Sequence, residues 1–377
     1  MKRSTDRILT THTGSLPRPD DLVKLLYAKE QGESYDQATF ETRVREATAE
    51  VVQKQVEVGV DIINDGETGK IGYATYVKDR LTGFDGEAGP LRSADVLDFP
   101  NFARRVYRLT GVRRPACTGP ITYKDTAALQ RELVTFKAAL QDVNPEEAFL
   151  SAASPGVISL FLKNDYYPNH DAYLEALANA MKVEYNAIHQ AGFILQVDCP
   201  DLAMGRHIQF ADASLADFRK TAELHIEALN HALADIPPDR IRLHLCWGNY
   251  EGPHHRDVPL RDIIDIVLKA RPAAISFEAA NPRHAHEWKV FHEFTLPPGK
   301  LLIPGVLDST TNYIEHPELV AERICRFAEV VGRENVIAGT DCGFSTFAGL
   351  TEVDPQIAWA KLRAMAEGAR IASAQLW

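Results

Sequence analysis

What most constrains the fold of this chain is a recurrence: short apolar runs rich in β-branched residues, each closed by a turn signal and followed by a stretch of helical period. The runs cover residues 8–13, 61–65, 116–122, 193–198, 241–247, 274–278, 301–308 and 335–341. Strand-then-helix units repeated in this way predict an α/β protein, a single (β/α)8 TIM-type barrel. The intervening helices are legible. Val44, Val51, Val52 and Val58 share a face, and Gly59 stops that helix. Over 171–191, Leu174, Leu177, Met181, Tyr185 and Ile188 keep the period up to Gly192, and Ser214 caps a third helix that ends before Pro237-Pro238.

One further run, 157–162, is equally strand-like. After Ser154-Pro155-Gly156 it is read as a loop or the start of a helix. The Gly-, Pro- and Arg-containing stretch 83–114 lacks a helical period and reads as an excursion from the barrel, with a hairpin around 105–111. No linker or repeat divides the chain, so 1–377 is read as one catalytic domain with this decoration.

Composition narrows the partners. A net charge of -11 without a basic run argues against a nucleic-acid surface, because counterion release needs clustered Lys and Arg. The start, Met-Lys-Arg-Ser-Thr-Asp-Arg, lacks the apolar core of a signal peptide, and no stretch approaches the roughly twenty apolar residues of a membrane span. A cytoplasmic protein with small-molecule partners is expected, and a homo-oligomer is compatible with it. Five Cys are too few and too odd in number for a disulfide framework and suit reduced thiols as ligands.

Polar residues gather inside or just after the runs: Thr11, His12, Ser15, Glu67, Thr122, Asp198, His244, Cys246, Glu278, Asp308, Asp341 and Cys342. In a parallel barrel the C-terminal strand ends share one rim, which is where an active site forms. His244 and Cys246, two apart on a strand, project to the same face and grip one ion together, and Cys342 closes another run. Either Cys alone is more often a buried small hydrophobe. The joint pattern points to zinc, which prefers thiolate and imidazole, with Glu278 as a displaceable fourth ligand. Such a set is poor at polarising a carbonyl. It suits holding a substrate thiol as a thiolate, so the chemistry indicated is S-alkylation of a small thiol by an alkyl donor.

The motifs Leu-Thr-Thr-His-Thr-Gly-Ser-Leu-Pro-Arg-Pro (9–19), Asn-Asp-Gly-Glu (64–67), Cys-Thr-Gly-Pro-Ile-Thr (117–122), Leu-Gln-Val-Asp (195–198), His-Leu-Cys (244–246), Phe-Glu (277–278), Pro-Gly-Val-Leu-Asp (304–308) and Asp-Cys-Gly (341–343) follow one another along nearly the whole chain. Together they resemble the catalytic domain of cobalamin-independent methionine synthase. The resemblance implies a zinc enzyme on a (β/α)8 barrel with His244, Cys246, Glu278 and Cys342 as ligands. It implies that Gly14, Ser15, Glu67 and Asp198 hold the amino-acid part of a homocysteine-like thiol, and that a folate donor lies near Thr122.

The chain departs from that pattern in three places. It carries only the catalytic barrel, Cys199-Pro200 stands where the family has Glu-Pro, and Ser309-Thr310-Thr311 stands where the family has a proton-donating His after Asp308. A hydroxyl does not replace imidazole as a general acid near pH 7. Asp308, Thr310 and His12 are the candidate catalytic residues that remain.

Epoxyalkane:coenzyme M transferases resemble the chain in length and ligands. For that reaction Tyr73, Tyr76 or His12 would be the proton donor, and Arg18, Arg206 or Arg283 the sulfonate partner. A metal-free barrel of the uroporphyrinogen decarboxylase type and a non-catalytic zinc protein are the readings from other classes. His254-His255 and His284 with His286 are read as solvated loop histidines, and Trp247 as either core or substrate wall.

Overall fold

A computed structural model describes residues 1–106, 112–350 and 352–377. Among them one parallel sheet runs in sequence order through β1 (Ile62–Ile63), β2 (Glu147–Ala153), β3 (Ile194–Asp198), β4 (Ile241–Leu245), β5 (Ala274–Phe277), β6 (Leu301–Leu307) and β7 (Gly339–Thr340). The N-terminal segment joins its edges. Ile62 N–H donates to Thr10 O at 3.0 Å, and Thr11 N–H donates to Ala338 O at 2.8 Å. Residues 8–13 are thus the eighth stave, and the sheet closes into the TIM-type barrel that the alternation predicts.

Closure needs a filled interior. Leu9, Ile62, Phe149, Ile194, Ala274, Leu301, Ile303 and Ile337 form an apolar plug at the N-terminal end of the staves. β4 contributes Arg242 instead of an apolar residue. Its guanidinium lies 4.1 Å from the Phe149 ring centroid and donates to Thr11 Oγ1 at 2.8 Å and His12 O at 2.7 Å. This fully buried cation ties the N-terminal segment across the barrel to β4.

The outer helices form where the apolar period places them. Gln37–Glu57 buries Val51 and Val52 and is capped by Asp36; His170–Gln190 buries Leu174, Leu177, Met181, Tyr185 and Ile188. Leu215–Ala232 starts where Ser214 Oγ accepts from Asp217 N–H at 3.1 Å. The ambiguous run 157–162 is helical, Pro155–Phe161, because Ser154 Oγ accepts the Val157 N–H and Pro155 opens the first turn. No helix among the described residues is long and apolar enough to cross a membrane.

One stave differs from expectation. Residues 116–122 are not in the barrel: Cys117 pairs with Asn164 outside it, and Gly119-Pro120 interrupts any ladder there. Their place is taken by β2, Glu-Ala-Phe-Leu-Ser-Ala-Ala, which has no β-branched residue. Its small residues Ser151, Ala152 and Ala153 are buried where neighbouring elements approach closely, so fit to a crowded surface decides over propensity. In the excursion, Ala94–Leu97 and Pro100–Val106 are short helices, so the start of the expected hairpin is helical; residues 107–111 lie outside the described residues.

Phe149 is fully buried in the plug, between Arg242 and the edge of His12. Phe149→Ala is expected to cost about 3–5 kcal/mol, measured as a shift of the urea midpoint at unchanged slope.

Candidate metal centre

The side chains on β4 that face the barrel interior climb from the plug to the rim as Arg242, His244 and then Cys246. At the rim they meet Cys342, two residues past β7. One ligand atom from each of His244, Cys246 and Cys342 lies within 4.8 Å of the others, and all three residues are buried. Ser309 Oγ accepts the Cys342 N–H at 3.1 Å and so holds the turn that carries the second sulfur. His244 Nδ1 lies 3.3 Å from Ser276 Oγ on β5, which leaves Nε2 for an ion.

Glu278 follows β5 beside the cluster, its Oε1 3.8 Å from Cys342 Sγ. Trp247 N–H donates to the same Oε1 at 2.6 Å, and Asn281 Nδ2 donates to Oε2 at 2.7 Å. Asp341 accepts the N–H groups of Ala279, Ala280 and Asn281, each at 2.8 Å, and thereby shapes the loop that aims Glu278.

The electrostatics suit a cation. Burial, with Arg242 nearby, lowers the His244 pKa to about 3, so the imidazole is neutral and able to ligate. Burial pushes the Cys342 thiol well above its ordinary value, and the adjoining Cys246 sulfur, Glu278 and Asp341 push it the same way. Burial also raises Glu278. Two sulfurs, a carboxylate and a neutral imidazole gather at one buried place, and the positive charge acting on the carboxylate comes from His284 and His254 behind it. A soft divalent metal fits that donor set, and zinc fits it best.

The same rim encloses a cavity of about 280 Å³ lined by Ser15, Glu67, Asp198, His244, Cys246 and Cys342 among others. Glu67 holds φ 55°, a left-handed conformation costly for Glu and the kind of strain found at binding sites. Gly14 makes room for it: a Cβ there would stand 2.6 Å from Glu67 Oε1. Glu67 Oε2 is buried without a partner. Burial raises the pKa of both Glu67 and Asp198, and the charge of Glu67 raises Asp198 further. Lys70, buried against Ser151 O (2.7 Å) and Glu132 Oε1 (3.1 Å), pulls Glu67 back toward ionisation. Among the described residues, no Lys or Arg lines this cavity.

Residues 8–89 and 117–370 match the family model for the cobalamin-independent synthase, catalytic domain. The chain belongs to the cobalamin-independent methionine synthase catalytic-domain family. It is 25% identical over 368 residues to a methionine synthase of Thermococcus kodakarensis, covering 97% of this chain and 94% of that protein. It is also 26% identical over 370 residues to the 2-hydroxypropyl-CoM lyase of Xanthobacter autotrophicus, covering 90% and 88%. The solved B12-independent methionine synthase from Shewanella sp. W3-18-1, in complex with selenomethionine, superposes with a TM-score of 0.75 at 19% identity over 98% of this chain and 99% of that one, a likeness of fold.

Of the other candidates in this member of the methionine synthase family, all but Tyr73 lie apart from the cavity. His12 is buried behind it, Nε2 2.7 Å from Gln55 Oε1, and burial lowers its pKa to about 3. Asp308 accepts from Thr310 N–H and Oγ1, both at 2.9 Å, and from Thr311 Oγ1 at 2.6 Å, so these hydroxyls are turned inward. Thr122 is exposed and pairs with Thr82. Of the two candidate tyrosines, Tyr73 lines the cavity, whereas Tyr76 donates to Glu184. Arg18 is consumed by Glu67 O and Ser345 and Arg206 by Phe210 O and Ala211 O, whereas Arg283 is exposed, reaches His255 O at 3.3 Å and lines a neighbouring cavity with Glu278 and Asp308. Cys199 is buried with its thiol toward Val197 O, outside the cluster.

Two loop histidines expected in solvent are drawn inward instead, His284 buried and His254 half-buried. His254 Nδ1 and His284 Nε2 lie 2.9 and 3.0 Å from Asp257 Oδ2, with His207 Nδ1 3.1 Å from Oδ1. The reason is the carboxylate, which makes burial of imidazolium tolerable. Trp247 stacks on His284 at 4.0 Å and donates to Val258 O, so it is core. Asn249 carries no signal in the sequence beyond its place just past a strand end, although it lines the cavity and accepts from Ser309, one of the three residues that stand in place of the family's His.

Two outcomes follow from this geometry. Cys246→Ala and Cys342→Ala each reduce bound zinc from near-stoichiometric to trace by elemental analysis, whereas Ser276→Ala weakens zinc by about tenfold in chelator competition. Partners around Asp257 raise His254 to about 9 and His284 to about 10, against opposing burial. Both folded values exceed the unfolded one, so this stabilisation is complete below about pH 6.5 and is lost as pH rises through 9 to 10. Urea midpoints between pH 6 and 10 decline at the alkaline end for the native protein and stay flat for Asp257→Asn, which starts lower.

Proposed function

We propose that this protein is a zinc-dependent thiol S-alkyltransferase whose acceptor is a homocysteine-type thiol bearing an α-amino group, and that the group transferred is methyl. The observation that carries this reading is the pair of buried acids, Glu67 and Asp198, in the same cation-free cavity as the sulfur cluster. An α-ammonium satisfies both: it supplies charge-assisted donors to Glu67 Oε2, which has none, and relieves the repulsion that raises Asp198. His244, Cys246 and Cys342, with Glu278 adjoining, would hold the ion, and that ion would lower the pKa of a coordinating thiol so that it is a nucleophilic thiolate at neutral pH.

The chain's own residues bind and orient. Glu67 and Asp198 fix the amino end of the acceptor, Lys70 favours the ionised form of Glu67 against the effect of burial, and Gln196 Nε2 donates to Asp198 Oδ1 at 2.8 Å to hold it in place. The second reading, epoxide opening by coenzyme M, rests on the lyase relative and on Tyr73 as a proton source in the cavity. It needs a cation for the sulfonate, and none is among the described lining residues.

Calorimetry of the zinc-loaded protein separates the two. Homocysteine is expected to bind and coenzyme M not to bind. Glu67→Gln and Asp198→Asn each weaken homocysteine by about tenfold or more while zinc content is unchanged. Coenzyme M binding at least as tightly as homocysteine, with the zinc-edge spectrum responding only to it, would sink the amino-thiol reading.

A further inference from the structure

Outward from the sulfur cluster the cavity wall becomes aromatic. Tyr73, Phe161 and Phe347 all line it and touch one another, with ring centroids 5.7, 6.0 and 6.2 Å apart. They come from three different barrel ends: the loop after β1, the helix that follows β2, and the loop after β7. The corner is built rather than incidental. Gly72 pairs with Phe347, and a Cβ on Gly72 would stand 2.5 Å from that ring. The charges around these rings are all of one sign: Glu67 and Asp198 below, Glu352 at the rim, and no Lys or Arg among the described lining residues. Aromatic faces and carboxylates together select a cation with an apolar surface and disfavour a donor with an anionic tail.

A second observation concerns the leaving group. Apart from His244, no imidazole lines the cavity among the described residues; Tyr73 offers only a phenol, a far weaker acid than imidazolium, and the hydroxyls of Thr310 and Thr311 are engaged by Asp308. A leaving group that departs as an anion would need a proton delivered here, whereas one that departs neutral needs none.

We propose that the methyl donor is an onium compound, a sulfonium or quaternary ammonium ion, seated against Tyr73, Phe161 and Phe347. The assignment rests on the thiol-alkylation reading above. The acceptor thiolate attacks the methyl carbon and a new sulfur–carbon bond forms. The bond from that carbon to the cationic sulfur or nitrogen breaks, its electron pair stays on the leaving atom, and a neutral thioether or tertiary amine departs without a proton.

Onium binding can be measured without the acceptor. Tetramethylammonium and trimethylsulfonium are titrated calorimetrically into zinc-loaded and metal-free protein, with neutral 3,3-dimethylbutan-1-ol as the control of similar shape. Both cations are expected to bind and the alcohol more weakly. Phe161→Leu and Phe347→Leu are expected to weaken the cations by about fivefold while retaining zinc, which shows the variants are folded. Turnover with homocysteine then tells which cation donates, as methionine with dimethyl sulfide or with trimethylamine. The inference is overturned if the alcohol binds as tightly as the cations, if the leucine variants leave cation binding unchanged, or if neither bound cation methylates homocysteine. A zinc spectrum that responds to homocysteine in a protein that ignores both cations overturns this inference alone. Cation binding with no response to homocysteine removes the acceptor reading instead.

Discussion

Closure of the sheet is the constraint on which everything else depends. The hydrogen bonds from Ile62 to Thr10 and from Thr11 to Ala338 join the first and last strands, and only a closed sheet sets the turn after β7 across from the end of β4. An open sheet would leave Cys342 at one edge and His244 and Cys246 in the middle. Arg242 reinforces closure from inside by holding Thr11 and His12 to β4, and its charge helps keep the His244 imidazole neutral. One buried cation thus serves both the architecture and the ligand state of the metal centre.

The rim above the plug holds an arrangement that is unfavourable until something positive arrives. Burial raises Cys342, Glu278, Glu67 and Asp198 alike, and among the described residues lining the cavity there is no Lys or Arg. The protein meets this in two ways. Second-layer cations such as Lys70 act from behind the wall, and backbone amides and Asn281 hold the Glu278 and Asp341 carboxylates. What remains unbalanced points into the cavity, toward the candidate metal site on one side and the space between Glu67 and Asp198 on the other.

Legibility in the sequence followed the range of the interaction concerned. His244 and Cys246 were readable as a pair because strand periodicity is local, and Cys342 because it closes a run of the same kind. The helix caps at Ser154 and Ser214 were equally local. The eighth strand differs from expectation because β2 takes its position by small size in a crowded interior, which no propensity records, whereas residues 116–122 bury Ala116, Cys117 and Ile121 outside the sheet. His254 and His284 were misread for a related reason: their loops look polar, and only the approach of Asp257 makes their burial possible.

The strand-helix alternation, the barrel class, the family and the residues His244, Cys246 and Cys342 of the candidate metal centre are determined by the sequence by itself, since each rests on periodicity or on a motif a few residues long. The tertiary structure alone decided which of the convergent polar groups face the cavity. It turned His12 toward Gln55 and Thr310 toward Asp308, used up Arg18 and Arg206 on backbone carbonyls, and left Glu67, Asp198 and three aromatic rings looking inward. The physical reason is that a side chain's partners lie on other strands and loops, and the direction in which it satisfies its hydrogen bonds is set only once the barrel has closed.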